Sequence, residues 1–382
     1  MSNVFTYMIN TRRVINLGKL KVAIIGCGRI ATSAHTPAYL DAYDLAEVKY
    51  YCDIIPERAK KLAGEYSAEI AKRYGDDVMP ETVEDYHELL GKVDCVSVCT
   101  PNYCHAPIAI DFLKSGAQVL CEKPAAINMA KATEMKQAAD ETGNMLSIGV
   151  CNRFNDSVMK IQELIAQGAL GNIYHVFCSF RAHRSIPGLG GPFTIKEQAG
   201  GGVLIDWGVH YLDLIFYCMG ERQLKSVSAE TYSVLGRDID KYVCKSMWAG
   251  PRISGGTYDV EEYITGMVRL KDDSGVSTIT LEGAWAQNIG EGDTYIDFIG
   301  DKAGIRLQYG GGFKLYSTCN GMLTETSYEY STENMYSREV RDFLTNAPRK
   351  IKTRASIDHA IKTSELMELL YKSAAEHREI EL

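Results

Sequence analysis

An aspartate and a histidine, Asp206 and His210, stand four residues apart in an apolar stretch that follows the glycine run 200–202. In an α-helix, residues at this spacing lie on one face. A carboxylate and an imidazole are costly to bury among apolar side chains unless they are hydrogen-bonded or used. The pair therefore fits either a structural hydrogen bond in a core or a proton-transferring site, for which histidine is suited because its ordinary pKa lies near neutrality. By itself the spacing favours the structural interpretation, and a functional role depends on motifs elsewhere in the chain.

A glycine-rich turn follows the first β-like run, Leu20 to Ile25. It reads Gly26-Cys27-Gly28-Arg29-Ile30-Ala31 and leads into a helical pattern that continues to Leu40. This spacing is typical of dinucleotide binding: Gly26 permits the tight turn, and Gly28 lets the backbone approach a pyrophosphate. The start of the helix, including Arg29 and Ile30, offers free amides to the phosphates.

A second strand, Glu47 to Cys52, ends at Asp53, close to the offset expected for the acid that binds the adenosine ribose hydroxyls. A turn or helix-capping aspartate before Pro56 is the alternative, and the two roles are compatible. A carboxylate here repels a 2′-phosphate, and Ile54 and Ile55 supply no compensating base. The sequence therefore predicts NAD rather than NADP.

Strands alternate with helices up to Val150, which predicts a doubly wound parallel α/β sheet in an N-terminal domain, residues 19–150. Ligands of such sheets lie beyond the carboxyl ends of the strands. Two loops end there, and their candidate cofactor-binding residues are Thr100, Asn102, His105, Glu122 and Lys123. Lys123 can donate to a substrate oxygen and stabilise developing negative charge, although a solvated surface lysine is the alternative.

The second part, residues 151–382, shows a different pattern. Alternating runs between Lys225 and Glu329 predict a large, mainly antiparallel open sheet, and helices are expected at about 157–167, 334–345 and 357–377. The Gly- and Pro-containing segment 184–191 is expected to form the rim of a substrate pocket. An open sheet with an uncovered face predicts a homo-oligomer, a dimer or tetramer.

Composition excludes several classes of function. The net charge of −8 gives no reason to expect nucleic-acid binding. No apolar run is long enough to span a bilayer, and residues 1–21 lack the features of a signal peptide, so we expect no membrane association. Eleven scattered cysteines without a Cys-x-x-Cys pair favour a reducing, cytoplasmic location and no metal site.

The motifs together resemble one family, the glucose–fructose oxidoreductase, inositol dehydrogenase and rhizopine-catabolism (Gfo/Idh/MocA) oxidoreductases. The matching segments, in the family's order, are 26–31 with His35, Asp53, 99–105, 121–124, 152–154 and 200–213. The resemblance implies an N-terminal Rossmann domain, a C-terminal α/β domain on an open sheet, and an NAD(P)-dependent sugar or polyol dehydrogenase. It also implies that Lys123 is catalytic, and that Asp206 and His210 complete the polar site.

On this interpretation, His210 takes the proton of a secondary hydroxyl while its carbon gives up hydride, and Asp206 orients the imidazole or contacts the substrate. Arg153, Arg184 and Lys196 are candidate substrate contacts, beside Asp206 and His210. The loop around Arg184 resembles the branch that acts on glycosides, often at C3, so a glycoside, glucose-like sugar or inositol is expected. Two alternatives remain: an NAD-dependent glycosidase that acts through transient oxidation and elimination, and a non-catalytic dinucleotide-binding regulator.

Overall fold

The structure of the protein is a computed structural model that describes residues 18–220, 222–273, 275–290, 292–328 and 334–382. Residues 1–21, which lack the features of a signal peptide, lie largely outside the described residues, which begin at Gly18. Within the described part the chain forms two sheets, one of six and one of nine strands.

The first sheet consists of β1 (Leu20–Ile25), β2 (Ala46–Cys52), β3 (Glu81–Val83), β4 (Cys95–Val98), β5 (Gln118–Glu122) and β6 (Leu146–Gly149). All neighbouring strands are parallel, in the order β3-β2-β1-β4-β5-β6. Strands β4 and β5 are buried along their whole length, as in parallel sheets covered on both faces. This is the doubly wound order, so the predicted Rossmann arrangement is confirmed.

Helices connect these strands: α1 (Thr36–Asp41), α2 (Pro56–Tyr74), α3 (Asn102–Lys114) and α4 (Met129–Thr142). A π-helical turn, Ala31–His35, precedes α1 and follows the glycine-rich turn directly. The three-residue strand β3 was not expected, because a run of this length carries no readable alternation of apolar and polar residues.

The second sheet consists of β7 (Ile173–Arg181), β8 (Gln223–Tyr232), β9 (Tyr263–Asp272), β10 (Gly275–Ala284), β11 (Thr294–Gly300), β12 (Gly304–Gln308), β13 (Phe313–Cys319), β14 (Met322–Tyr328) and β15 (Ile380–Glu381). Their order is β14-β13-β12-β11-β7-β10-β9-β8-β15. Strands β7 and β10 are parallel, whereas the other described pairs are antiparallel. The predicted large, mainly antiparallel sheet is therefore confirmed.

Helices α5 (Asp156–Ala166), α7 (Val209–Met219) and α9 (Ile357–Glu376) pack on this sheet, and the short α6 (Lys196–Ala199) lies before α7. A shared apolar cluster from these helices and strands forms the core of this part. Side chains on the other face, such as Met267 and Thr280, are half-buried. Self-association through that face stays a prediction. In the described part, no helix is both long and apolar enough to cross a membrane.

The C-terminal helices return to the first sheet. In α8 (Met335–Asn346), Val340, Phe343 and Leu344 belong to the same buried cluster as residues of β1, β2 and α2. A β-bridge also joins Ser356 to Ser147 of β6. The division into 19–150 and 151–382 stays a prediction. We propose that α8 and the segment leading to α9 belong with the N-terminal unit, because their apolar side chains pack in its core.

Replacing Phe343 with alanine tests this assignment. Phe343 is 1% exposed, so the truncation should lower the free energy of unfolding by about 3–5 kcal/mol. In hydrogen-exchange mass spectrometry, exchange should accelerate first in β1 and β2 rather than in β9 and β10. Phe298→Ala, which removes an equally buried ring from the second sheet, should show the reverse order. The assignment fails if Phe343→Ala loosens β9 and β10 first.

Candidate active site

The glycine-rich turn has the shape that a dinucleotide requires. Gly26 has a φ of +89°, and a Cβ there would lie 2.7 Å from the carbonyl oxygen of Cys99, so only glycine fits. A Cβ on Gly28 would meet no atom within 4 Å, which leaves open space in front of the turn. The residues present therefore fit a pyrophosphate lying against Gly28 and the amides that follow.

Arg29 and Ile30 extend from this turn in different directions. Ile30 packs against the apolar cluster beneath the first sheet. The Arg29 guanidinium donates to the carbonyl oxygen of Trp248 and lies 5.8 Å from the centre of its ring. Arg29 thus ties the glycine-rich turn to a loop of the second unit, a contact that the motif by itself does not predict.

Asp53 lies at the end of β2 and is 8% exposed. Its Oδ2 accepts the backbone N–H of Cys27 at 2.7 Å, and its Oδ1 accepts that of Ile55 at 2.8 Å. The carboxylate therefore holds the glycine-rich turn against β2 and also shapes the turn before α2. Two carboxylate oxygens have about four acceptor positions, so these bonds leave room for ribose hydroxyls.

The loop after β4 connects the two units. Asn102 donates from Nδ2 to the carbonyl oxygen of Ala199 at 2.8 Å, at the end of α6. Thr100 carries a buried Oγ1 for which the described residues provide no partner, and it remains a candidate for the cofactor. Cofactor binding by Thr100 and Asn102 therefore stays a prediction.

The side chains of His105 and Glu122 are bonded within the protein. His105 is 1% exposed, and its two ring nitrogens lie 2.8 Å and 2.9 Å from the carbonyl oxygens of Pro124 and Thr100. Burial lowers its pKa. Glu122 is 6% exposed and has both oxygens bonded within the protein. Each side chain thus braces a loop with its polar atoms, and a cofactor contact by either residue stays a prediction.

Lys123 and Asp206 meet where the two units face each other. The Lys123 ammonium donates to Oδ1 of Asp206 at 3.1 Å and to its carbonyl oxygen at 3.0 Å. The lysine side chain is 19% exposed and that of the aspartate 7%. Lys123 is therefore not a solvated surface lysine, since its ammonium is bound to Asp206 and its side chain is mostly buried.

Asp206 is fixed from behind by Trp285. The Trp285 indole N–H donates to Oδ2 of Asp206 at 3.2 Å, and the ring is fully buried. Asp206 itself stands in a π-helical turn, Leu204–Gly208, that runs into α7. Such turns are frequent at functional sites. The sequence did not predict this bond, because no local signal links Trp285 to Asp206.

The three glycines before this turn are required by packing. A Cβ added to Gly200 would lie 2.4 Å from the carbonyl oxygen of Ile127. A Cβ added to Gly201 would lie 2.1 Å from the hydroxyl of Tyr371, and one added to Gly202 would lie 1.8 Å from the carbonyl oxygen of Glu261. The Glu261 carboxylate also accepts the backbone N–H groups of Gly202 and Leu204, at 2.9 Å and 3.0 Å. The glycines thus allow the start of the helix to lie close to both units.

His210 follows one turn later, but Asp206 does not orient it. Both Asp206 oxygens are used by Lys123 and Trp285, whereas Nδ1 of His210 is buried and has no partner among the described residues. Burial, with a smaller contribution from the charge of Lys123, places the pKa of His210 well below its ordinary value. The imidazole is therefore neutral at pH 7 and able to accept a proton.

Tyr309 is a further residue beside His210 that the sequence did not single out. Its ring centre lies 6.1 Å from that of His210 and stacks at 4.4 Å on Tyr211. Its hydroxyl accepts from Nδ2 of Asn152 at 2.7 Å. The turn between β12 and β13 that carries Tyr309 is distant in sequence, and it reaches α7 only through the fold of the second sheet.

Arg153 is not a substrate contact in this geometry. It is 1% exposed and donates from Nε and Nη2 to both oxygens of Asp213, each at 2.7 Å. A buried bidentate pair of this kind leaves no guanidinium face for a ligand. The prediction for Arg153 is therefore corrected: it binds the segment after β6 to α7.

Arg184 and Lys196 lie on one stretch of chain, which pairs with a second loop. Backbone bonds join the segment 184–194 to the segment 245–259, from Lys245 N to Arg184 O and from Asp259 N to Thr194 O among others. The side chain of Arg184 is half-buried and donates to Oδ1 of Asn288, whereas Lys196 is exposed. Both stay predicted substrate contacts, on a double loop whose second half the sequence did not indicate.

Two family models match the chain. The model described as "Oxidoreductase family, NAD-binding Rossmann fold" matches residues 20–150, and that described as "GFO/IDH/MocA C-terminal domain" matches residues 158–306. The chain belongs to the Gfo/Idh/MocA oxidoreductase family. The predicted family and enzyme class are thereby confirmed.

Individual relatives agree with this family assignment. The chain is 32% identical over 365 residues to D-glucoside 3-dehydrogenase of Escherichia coli (strain K12), covering 95% of this chain and 97% of that protein. It is 30% identical over 201 residues to glucose-6-phosphate 3-dehydrogenase of Bacillus subtilis (strain 168), where the match spans about half of each chain. A solved levoglucosan dehydrogenase in complex with NADH shares the fold, with a TM-score of 0.78 at 19% identity over 95% of this chain and 99% of that chain.

The protonation of His210 can be measured without a substrate. Nitrogen-15 NMR, with the signals of His210 assigned by comparison with His210→Gln, should show a titration midpoint below pH 6.5 because burial disfavours the charged ring. Lys123→Met should raise the midpoint, since it removes a nearby positive charge, whereas Lys131→Met on the exposed face of α4 should not. A wild-type midpoint at or above 6.5 would contradict the described environment.

Proposed function

We propose that the chain is an NAD-dependent dehydrogenase that oxidises a secondary hydroxyl of a sugar, with C3 of a D-glucoside as the favoured position. The observation that carries the proposal is the contact of Lys123 with Asp206, one helical turn before His210 and at the same carboxyl edge of the first sheet as the glycine-rich turn. The similarity to a D-glucoside 3-dehydrogenase over almost the whole of both chains supports the substrate class.

The chain's own residues have distinct roles in this reaction. A bound nicotinamide cofactor supplies the hydride acceptor. His210 takes the hydroxyl proton, so that the C–H and O–H bonds of the alcohol are replaced by a C=O bond. Lys123 donates to the same oxygen and stabilises the negative charge that develops on it.

Asp206 balances the charges in this site. Lys123 lowers the pKa of His210, so a proton arriving on His210 places two positive charges near each other. The Asp206 carboxylate, 3.1 Å from the Lys123 ammonium, offsets that repulsion and keeps the ammonium directed to one place. Trp285 holds the other carboxylate oxygen and thereby limits its rotation. Asp206 thus acts on Lys123 and not on the orientation of His210.

A direct assay tests both the reaction and the roles of the residues. With methyl β-D-glucopyranoside and NAD, we expect one NADH for each 3-keto glycoside, identified by carbon-13 NMR. Lys123→Met and His210→Ala should each lower kcat by about 100-fold or more, because each removes a group that acts in the transition state, while NADH affinity changes little.

Lys131→Met serves as the matched lysine control and should retain wild-type turnover. Release of the aglycone without net NADH would indicate oxidation followed by elimination in place of the proposed net oxidation. The assignment of the catalytic residues is refuted if both Lys123→Met and His210→Ala keep wild-type turnover.

The preference for NAD is proposed on the position of Asp53. A negative carboxylate at the end of β2 would face the 2′-phosphate of NADP, and like charges brought together at a binding site are costly. Asp53→Asn keeps an oxygen acceptor for the glycine-rich turn but removes the charge. The ratio of kcat/KM for NAD to that for NADP should fall by about tenfold or more, equivalent to about 1.4 kcal/mol. Asp140→Asn on α4 should leave the ratio unchanged, and an unchanged ratio in Asp53→Asn would refute the proposed role.

A further inference from the structure

A chain of buried polar side chains runs from α1 to the backbone of Lys123. The Tyr39 hydroxyl lies 2.7 Å from Oγ of Ser97, which lies 3.2 Å from Nδ1 of His35. Nε2 of His35 lies 2.9 Å from Oε1 of Glu122, and Oε2 of Glu122 accepts the backbone N–H of Lys123 at 3.1 Å. The first four residues are each at most 6% exposed.

The Glu122 carboxylate sets the direction of these hydrogen bonds. An ionised carboxylate only accepts, so Nε2 of His35 carries the donated proton. Nδ1 is then free to accept from the Ser97 hydroxyl, which in turn accepts from Tyr39. All polar atoms of the chain are satisfied in this arrangement, and the imidazole has one defined tautomer.

We propose that Tyr39, Ser97, His35 and Glu122 form a positioning device for Lys123. Lys123 is held at both ends: its backbone N–H by Glu122 and its ammonium by Asp206. Without His35, Glu122 loses its side-chain hydrogen-bond donor inside the core and has to protonate or move. Either change releases the Lys123 backbone at the point where β5 ends. Its effect on turnover rests on the proposed role of Lys123.

The surroundings of Glu122 reserve space for an ionised side chain. A Cβ on Gly149, in the neighbouring strand β6, would lie 3.0 Å from Oε1 of Glu122, so glycine leaves room for the carboxylate. His35, Lys123 and His105 lower the pKa of Glu122 against the opposing effect of burial. The carboxyl group of Glu339 on α8 also faces it, together with the thiols of Cys99, Cys121 and Cys151 and the hydroxyl of Tyr336. Among these groups, His35 is the side chain that donates a hydrogen bond to Glu122.

Two replacements of His35 separate positioning from simple packing. His35→Leu removes both polar contacts, whereas His35→Gln keeps an N–H donor at the place of Nε2. With methyl β-D-glucopyranoside and NAD, kcat should fall by about 10- to 100-fold in His35→Leu, because a small misplacement of a reacting group has effects of that size. His35→Gln should recover most of the lost rate, and KM for NAD should change by less than about threefold in both.

The control variant changes a residue of β5, the strand that ends at Glu122. Gln118 begins β5 and is buried, with a donated bond to Asn144 and an accepted bond from the N–H of Met145. Gln118→Ala therefore removes buried hydrogen bonds from the end of β5 opposite Lys123. It should lower the thermal stability without a comparable loss of kcat. If His35→Leu does not fold, Ser97→Ala, which cuts the chain one link earlier, takes its place and should show a smaller loss of kcat.

A crystal structure of His35→Leu provides a readout that needs no turnover. We expect the Lys123 ammonium to move out of hydrogen-bonding distance of Asp206, and to return to it in His35→Gln. The proposal is overturned if His35→Leu keeps both this contact and the wild-type kcat, or if Gln118→Ala loses kcat to the same extent. Absence of glucoside oxidation by the wild type would refute the proposed function alone, and the crystal structures would still decide the positioning role.

Discussion

The contact between Lys123 and Asp206 joins the end of β5 in the first sheet to the start of α7 on the second. It forms only if several other features bring the two chain segments together. Three glycines allow the segment before α7 to lie against Ile127, Tyr371 and Glu261. Trp285, from the end of β10, then fixes the carboxylate from behind. The candidate active site is thus a property of the interface between the two sheets.

Nearly every buried acidic or basic side chain among the described residues has a hydrogen-bond partner. Asp213 is bound bidentately by Arg153, Glu122 accepts from His35, and Glu261 accepts two backbone N–H groups at the start of the turn before α7. Glu339 is the exception, since neither of its oxygens has a partner among the described residues. Burial, and to a smaller extent the charges of Glu122, Asp213 and Asp342, raise the pKa of Glu339 well above its ordinary value.

Local patterns were sufficient to predict the architecture and the positions of the main polar residues. The glycine-rich turn, helix α2 and the alternation of strands and helices are encoded within short windows. Lys123, at the end of β5, does contact Asp206, which stands one helical turn before His210. The partners of these residues were not predictable in the same way. Asp206 bonds to Lys123 and Trp285, which are more than seventy residues away in either direction, and Arg153 finds Asp213 sixty residues later. The return of α8 to the first core likewise depends on tertiary packing and leaves no local signal.

A double-mutant cycle between Lys123 and Asp206 measures whether the two residues act together in the reaction. Lys123→Met, Asp206→Leu and the double variant are compared with the wild type by kcat/KM for methyl β-D-glucopyranoside. If the two residues act as a unit, the double variant will be no slower than Lys123→Met, since the role of Asp206 is exercised through the lysine. If the two losses multiply, Asp206 acts independently of Lys123 and the account of the site is wrong.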